Sequence, residues 1–386
     1  VSDAIWFNRP GITGREIDYM RQALEGGSIS GDGPFTRCCH ALLEELIGAR
    51  KALLTTSCTH ALEMAALLLD IGPGDEVICP AFTFVSTINA FVLRGARPVF
   101  VDVRQDTLNL DERLLEAAIT PRTRAIVVVH YAGVACEMDT ILEIANTHGV
   151  PIVEDNAHGF FGSYRGRPLG SMGAMSTLSF HETKNITCGE GGALIVNDAR
   201  FIERAEIVRE KGTNRSRFFR GEVDRYTWVD LGSSYLPSDL LAAFLLAQLE
   251  ARDEIQRRRL AIWSRYQKEL RGWGEATNVR LPVVPDGCVH PAHIFYLLLP
   301  TLEARSALIS ELRGQQILLV FHYQPLHLSE MGRRYGGRRG QHPVTEDVAD
   351  RLVRLPLYYQ LTDADQSRVI DTILGWRSAP ERISTL

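Results

Sequence analysis

Between residues 50 and 200, short apolar runs of strand length alternate with helical patterns. This alternation constrains the fold more than any other feature of the chain. Lys51-Ala52-Leu53-Leu54-Thr55 reads as a strand, and Thr59 to Leu69 as the helix that follows it. Glu76-Val77-Ile78-Cys79, Pro98 to Asp102, Ala125 to His130 and Pro151 to Glu154 are further strand-length runs, with a helix at Met138 to Thr147. Ser176 to Phe180 and Ala193 to Val196 add two more. Strands covered by helices on both faces read as near-continuous apolar runs. The pattern therefore predicts an α/β fold built on a doubly wound, mostly parallel sheet.

After residue 237 the pattern changes. Pro237-Ser238-Asp239 predicts the start of a long helix, with the proline at its first turn. A charged helix from Arg252 to Arg271 leads away from it. Strands at His293 to Leu299 and Ile317 to Phe321 mix with helices at Leu302 to Arg313, Thr345 to Leu352 and Asp363 to Trp376. Two domains are expected: a large one over 1–250 and a smaller α+β one over 251–386. A net charge of −5 gives no basic face for nucleic acid. Apolar runs such as Leu240 to Leu249 fall short of the roughly 18 residues that signal a membrane span. The N-terminus shows no basic-then-apolar leader, so a cytoplasmic protein is expected. The seven cysteines are odd in number and form no C-x-x-C pair, which argues against both a disulfide framework and a zinc site.

The chain has only four lysines, at 51, 184, 211 and 268, against thirty-eight arginines. Lysine is the common side chain that condenses reversibly with an aldehyde cofactor. In an open parallel sheet, ligands bind beyond the carboxyl ends of the strands. Ser57-Cys58-Thr59 follows a strand and opens a helix, Asp155 ends a strand, and Lys184 follows one closely. The first is an anion site or an ordinary helix cap. Asp155 is a structural ion pair or the partner of a protonated ring nitrogen, with His158 close enough in sequence to bond the same ring. Lys184 is a reactive amine or a solvated surface group, and Lys211 is its one serious rival.

Phosphate site, aromatic residue, Asp155, and Lys184 29 positions later form one ordered set. The carrying segments are Gly74-Asp75-Glu76-Val77-Ile78-Cys79-Pro80-Ala81-Phe82-Thr83-Phe84, Glu154-Asp155, Ser179-Phe180 with Lys184, and Gly189-Glu190-Gly191-Gly192. Together they resemble the fold type I pyridoxal phosphate enzymes, and among them the DegT-like nucleotide-sugar aminotransferases, over essentially the whole chain. The resemblance implies that Lys184 holds pyridoxal 5'-phosphate covalently and that Asp155 partners its pyridine nitrogen. It implies that Phe84 stacks on the ring, and that Cys58, Thr59 and Ser179 contact the phosphate. Many members carry Gln where this chain has His158, which serves the same bond. Many carry a Gly-Tyr-Asn motif that reaches a neighbouring subunit's phosphate. Here the segment is Gly232-Ser233-Ser234-Tyr235, so Ser234 is the candidate, with a shorter side chain.

Members that aminate C3 of the sugar often read Ser-Phe-Tyr-Pro-x-Lys before Gly-Asp-Gly-Gly. This chain has His181-Glu182-Thr183 before Lys184, and Glu190 in the glycine motif, as C4 aminotransferases tend to. His130 to Asp139 and Glu210 to Ser216 resemble transaminases that act on dTDP-4-keto-6-deoxy-D-glucose with L-glutamate as donor. The galacto and gluco products stay open. Phe321 to His327 resembles a segment near the sugar pocket, which makes Tyr323 and His327 candidates; a structural histidine is the alternative. Arg215 is a candidate for the diphosphate. Pockets in the family lie between subunits, which implies a homodimer or a dimer of dimers. Related dehydratases replace the lysine with histidine, so Lys184 argues for an aminotransferase. A C3 aminotransferase and a non-catalytic cofactor-binding regulator are the alternatives.

Overall fold

The computed structural model of the protein describes residues 4–376. Residues 1–3 and 377–386, at the outer ends of the two expected domains, lie outside the described residues. Seven strands form the main sheet: β1 (Lys51–Thr55), β2 (Glu76–Pro80), β3 (Arg97–Val101), β4 (Thr123–Val129), β5 (Ile152–Asp155), β6 (Met175–Ser179) and β7 (Gly192–Val196). Their order across the sheet is β1-β7-β6-β5-β4-β2-β3. Six of them share one direction; β7 runs against both of its neighbours.

Successive side chains on a strand point to opposite faces, and both faces here are covered. Ala125 and Val127 of β4 enter one core with Leu194, Val196 and the helix Cys58–Leu68. Ile126 and Val128 enter the opposite core with Met138 and Ile141 of the helix Met138–His148. Near the other edge, Ala193 and Ile195 pack with Leu43 and Leu245, from the helices Pro34–Ile47 and Asp239–Glu250.

Pro237 lies before that last helix rather than in its first turn. Ser238 is the cap, with its hydroxyl accepting from the Leu241 N–H at 3.4 Å. The next helix, Arg252–Thr277, connects two cores: Ile255 packs with the β1 and β7 side chains, while Ile262, Tyr266 and Leu270 pack in a C-terminal core. That second core lies against a three-stranded antiparallel sheet of β8 (Tyr296–Leu298), β9 (Val320–Phe321) and β10 (Leu352–Arg354), in the order β8-β10-β9. Ile5 bridges Ile317 and packs in this core too.

Two sequence expectations shift here. The strand read from His293 begins at Tyr296, because Arg259 takes the carbonyls of Ala292 and His293 at 3.2 and 2.6 Å. Leu352, read as the end of a helix, opens β10: the helix is Pro343–Arg351. Leu352 and Val353 enter different cores, the alternation of a strand.

Candidate active site

The carboxyl ends of β1, β2, β5 and β6 converge on a cavity of about 730 Å³, within the size range of small-molecule sites. Ser57 caps the helix Cys58–Leu68, its Oγ accepting from the His60 N–H at 3.1 Å. The first-turn N–H groups of such a helix lack intrahelical partners and favour an anion. Hydroxyls gather at this end: Thr59 Oγ1 donates to Ser86 Oγ at 2.9 Å, and Ser179 lines the same cavity. The Cys58 thiol donates to Thr177 Oγ1 at 3.4 Å. Burial pushes that thiol's pKa up to about 12, so it stays neutral.

Gly192 explains part of the glycine motif. Ser179 of β6 pairs with Gly192 of β7, which brings Gly192 against the cap. A Cβ at Gly192 would sit 2.4 Å from the Cys58 nitrogen and 2.4 Å from the Ser57 carbonyl carbon, both backbone atoms. No side chain can move aside to relieve that clash. Gly192→Ala is expected to cost about 1–3 kcal/mol of stability and to weaken cofactor binding. Thermal melting and a cofactor titration check this, and an unchanged Tm contradicts it.

Glu154 and Asp155 are adjacent carboxylates with opposite fates, because neighbours on β5 face opposite sides. Glu154 points away from the cavity. It accepts the N–H groups of Gly170, Met172 and Gly173 and bonds His130 Nε2 at 2.9 Å. Burial raises its pKa, but these partners hold it below the usual carboxylate value. Asp155 faces the cavity. Its carboxylate accepts from Thr87 Oγ1 at 2.7 Å and from the Ala157 N–H at 3.2 Å. Burial raises its pKa despite both bonds and the nearby Lys184 charge. A buried carboxylate in this state is ready for a cationic partner.

Lys184 sits in the connection that turns the chain from β6 into β7. Asn185 fastens this turn to the C-terminal part of the chain: Nδ2 donates to the Pro291 carbonyl at 2.7 Å, and Oδ1 lies 3.0 Å from His293 Nδ1. The rival lysine is elsewhere: Lys211 pairs with Glu210 at 3.0 Å. Lys51 pairs with Glu206 at 3.3 Å. Burial lowers the Lys184 pKa to about 8, against the opposing pull of the Asp155 carboxylate. Only the neutral amine is nucleophilic. In the protein without cofactor, labelling of Lys184 by an amine-selective reagent is therefore expected to rise to about pH 8 and level off above it. An unperturbed lysine would keep rising towards about pH 10.4. Peptide mapping of the labelled protein at several pH values checks this.

His158, Phe84 and Tyr323 line the same cavity. His158 Nε2 lies 3.2 Å from the Tyr323 hydroxyl, while its buried Nδ1 has no protein partner. Burial pushes the His158 pKa well down, so the ring is neutral. Phe84 is 55% exposed within the cavity, a large apolar face available for stacking.

Three candidates lie elsewhere. Ser234 is exposed and pairs through its backbone with Glu210. Arg215 is tied to the Glu210 carboxylate at 3.0 Å. His327 is buried at 0% exposure, outside the cavity lining, and bonds Glu346 through Nε2 at 3.0 Å, while its Nδ1 has no protein partner. Sequence reasoning missed Thr87, Asn185, His293, Phe7 and Arg354. Thr87 had a signal, since Thr83 to Thr87 directly follows β2 towards its carboxyl end. Asn185 stands next to Lys184, which was its signal; His293, Phe7 and Arg354 had none, because they arrive from distant parts of the chain.

Pyridoxal phosphate fits this set. The helix N-terminus with Thr59 and Ser179 can hold the phosphate, and Asp155 the ring nitrogen. The orphaned His158 Nδ1 has a polar group to meet, and Lys184 supplies the amine. The model of the DegT/DnrJ/EryC1/StrS aminotransferase family matches residues 10–374. The spore coat polysaccharide biosynthesis protein SpsC of Bacillus subtilis (strain 168) is 34% identical over 375 residues, covering 95% of each chain. Spr1654 of Streptococcus pneumoniae, described as a sugar aminotransferase and solved in PMP and PLP forms, is also similar. Its PMP form superposes with a TM-score of 0.89 at 28% identity, covering 96% of this chain and 98% of that one. The aminotransferase TlmJ of Streptoalloteichus hindustanus gives 0.88 at 30% identity, with 96% and 98% covered. A cavity built for pyridoxal phosphate and a family match over nearly the full length agree: the chain belongs to the DegT/DnrJ/EryC1/StrS family and is a pyridoxal-phosphate-dependent aminotransferase.

Proposed function

We propose that this aminotransferase moves the amino group of L-glutamate to C4 of dTDP-4-keto-6-deoxy-D-glucose, giving a dTDP-4-amino-4,6-dideoxy sugar. The observation that carries this reading is the lining beside Lys184. His181, Thr183 and Glu190, the residues of the pattern shared with C4 aminotransferases, all line the cavity. His181 Nε2 lies 3.6 Å from the Glu190 carboxylate. The names of SpsC and Spr1654 point to polysaccharide and sugar chemistry in those proteins, which supports a sugar substrate here.

When bound, pyridoxal phosphate supplies an aldehyde for the amino group and an electron-poor ring that spreads the charge left by a departing proton. Lys184 would hold it covalently. Once freed, the Lys184 amine takes the α-proton of the donor as base and returns a proton as acid. Asp155 keeps a proton on the ring nitrogen through its opposite charge. Thr59, Ser179 and the helix N-terminus hold the phosphate, and His158 and Phe84 fix the ring's orientation. The cofactor would carry the amino group from the donor, which leaves as a keto acid, to the keto sugar. The same residues then act in reverse order on the keto sugar, so one cavity serves two substrates in turn.

The enzyme would work as a homodimer or a dimer of dimers in the cytoplasm, with its large and small domains divided near residue 250. Ser234 and Arg215 flank an exposed apolar stretch that includes Phe219, Trp228 and Leu231, the kind of surface a second subunit covers. There Ser234 and Arg215 would face the partner's cavity. No helix among the described residues is long and apolar enough to cross a membrane. Incubation with dTDP-4-keto-6-deoxy-D-glucose and L-glutamate, with the product assigned by NMR couplings, tests the reaction and fixes the C4 configuration. Absence of a 4-amino product sinks the substrate assignment. Light scattering tests the dimer.

A further inference from the structure

His293 lines the cavity beside His158, with ring centroids 4.4 Å apart and an interplanar angle of 32°. The other rings around His158 are farther off: Tyr131 and His322 at 5.9 Å, Tyr323 at 6.3 Å. His158 has one hydrogen bond, between Nε2 and the Tyr323 hydroxyl at 3.2 Å, and its buried Nδ1 has no protein partner. Burial pushes the Tyr323 pKa up, so that hydroxyl keeps its proton and can donate to Nε2. The proton of the neutral His158 ring is then left on Nδ1. One bond does not fix the plane of the ring, because the last torsion of a histidine side chain is broad. A flat neighbour 4.4 Å away does fix it.

His293 is itself held from two sides. Asn185 spends Nδ2 on the Pro291 carbonyl at 2.7 Å, so its Oδ1 accepts, and His293 donates to it from Nδ1 at 3.0 Å. Arg259 holds the backbone, donating to the His293 carbonyl at 2.6 Å. Burial pushes the His293 pKa well down, and His158, Lys184, Arg259 and Arg354 act in the same direction. Burial does the same at His158. Two charged imidazoles at this distance would repel, whereas two neutral ones stack.

We propose that His293 is a positioning residue: its ring, locked to the turn that carries Lys184, sets the plane of His158 so that Nδ1 can donate to the phenolic oxygen of pyridoxal phosphate. Asn185 directly follows Lys184. The covalent contact with the cofactor and the hydrogen bond to its ring thus share one support. The inference rests on the reading of His158 as a cofactor contact, but not on the identity of the sugar.

The holoenzyme tests this through its spectrum. A donor on the phenolic oxygen draws charge from it, and the oxygen then holds the proton on the neighbouring Lys184 nitrogen less tightly. Loss of that bond is expected to raise the pH at which the cofactor's visible band titrates by about 0.5–1 pH unit, the equivalent of one neutral hydrogen bond. His158→Ala, which removes the bond outright, should show this rise. His293→Ala should show most of it, and His293→Phe, which restores a flat ring, should recover at least half. In the His158→Ala background His293→Ala should add nothing, because it acts only through that ring. Binding of pyridoxal phosphate to the unloaded protein should weaken about 2- to 10-fold in His293→Ala, the range of one aromatic pair, and recover in His293→Phe. An unmoved midpoint in His158→Ala would end the cofactor role of His158, and the inference with it. A rise in His158→Ala with none in His293→Ala would overturn the inference alone. So would a rise that persists without His158, or no recovery in His293→Phe. Should His293→Ala fail to fold, His293→Leu, which fills the space without a flat face, takes its place.

Discussion

Lys184→Ala is expected to abolish amino transfer, by about 10⁴-fold or more, the upper end of what one general acid–base contributes. The loss should exceed that of any other single change in the cavity, because two functions end together. The amine that fixes the cofactor covalently is gone, and so is the base that takes the donor's α-proton. Burial already lowers the Lys184 pKa to about 8, so near neutral pH a useful fraction of the amine is free to act. The fold should tolerate the change. Among the described residues Lys184 makes no close carboxylate ion pair of the kind that holds Lys51 and Lys211, and the nearby Asp155 keeps its bonds from Thr87 and Ala157 when the amine is gone. The purified variant should lose the visible absorbance of the bound cofactor and keep a wild-type Tm without cofactor. Lys211→Ala should keep the absorbance band. If the Lys184 variant retains both band and turnover, another amine does this work.

The sheet was legible because strands buried on both faces leave short apolar runs that alternate with helical patterns. The direction of β7 was not. An apolar run such as Gly192 to Val196 reads the same whichever way it lies, and only its pairing with β1 and β6 fixes it. Leu352 to Arg354 was hidden because three residues after a helix carry too little pattern to announce a strand. The site shows the same division. Ser57, Asp155 and Lys184 lie at ends of strands in one sheet, and the carboxyl-end rule predicts that they meet. Thr87 lies 68 residues before the Asp155 it bonds, and Arg354 comes from the end of β10 in the second sheet. Such contacts are tertiary and leave no local trace. Arg215 and Ser234 show a further limit. A single chain holds both residues away from its own cavity, and for Ser234 the resemblance implies a contact with a neighbouring subunit, which one chain's sequence cannot place.

Asp155→Asn is expected to separate catalysis from stability, moving them in opposite directions. The amide keeps the size of the side chain and an oxygen that accepts from Thr87. What it loses is the bond that the other carboxylate oxygen takes from the Ala157 N–H, and the negative charge that holds a proton on the ring nitrogen. Without that proton the ring is a poorer electron sink, and kcat should fall about 10²- to 10⁴-fold, or about 3–5.5 kcal/mol at 1.36 kcal/mol per tenfold. Stability without cofactor should change the other way. Burial raises the folded-state pKa of Asp155 above its ordinary value. A carboxyl so raised costs nothing in acid, where it is protonated both folded and unfolded. It destabilises the fold once the pH exceeds the ordinary carboxylate range, because the unfolded chain ionises more readily. The variant removes that cost. Its Tm without cofactor should exceed wild type at pH 8, and the gap should close as the pH falls towards about 4. Melting curves across that range and steady-state rates with cofactor test the two halves separately. A lower Tm at pH 8 would show that the attraction between Asp155 and Lys184 outweighs the burial of the carboxylate. Asp155 would then stabilise the empty site as well as the working one.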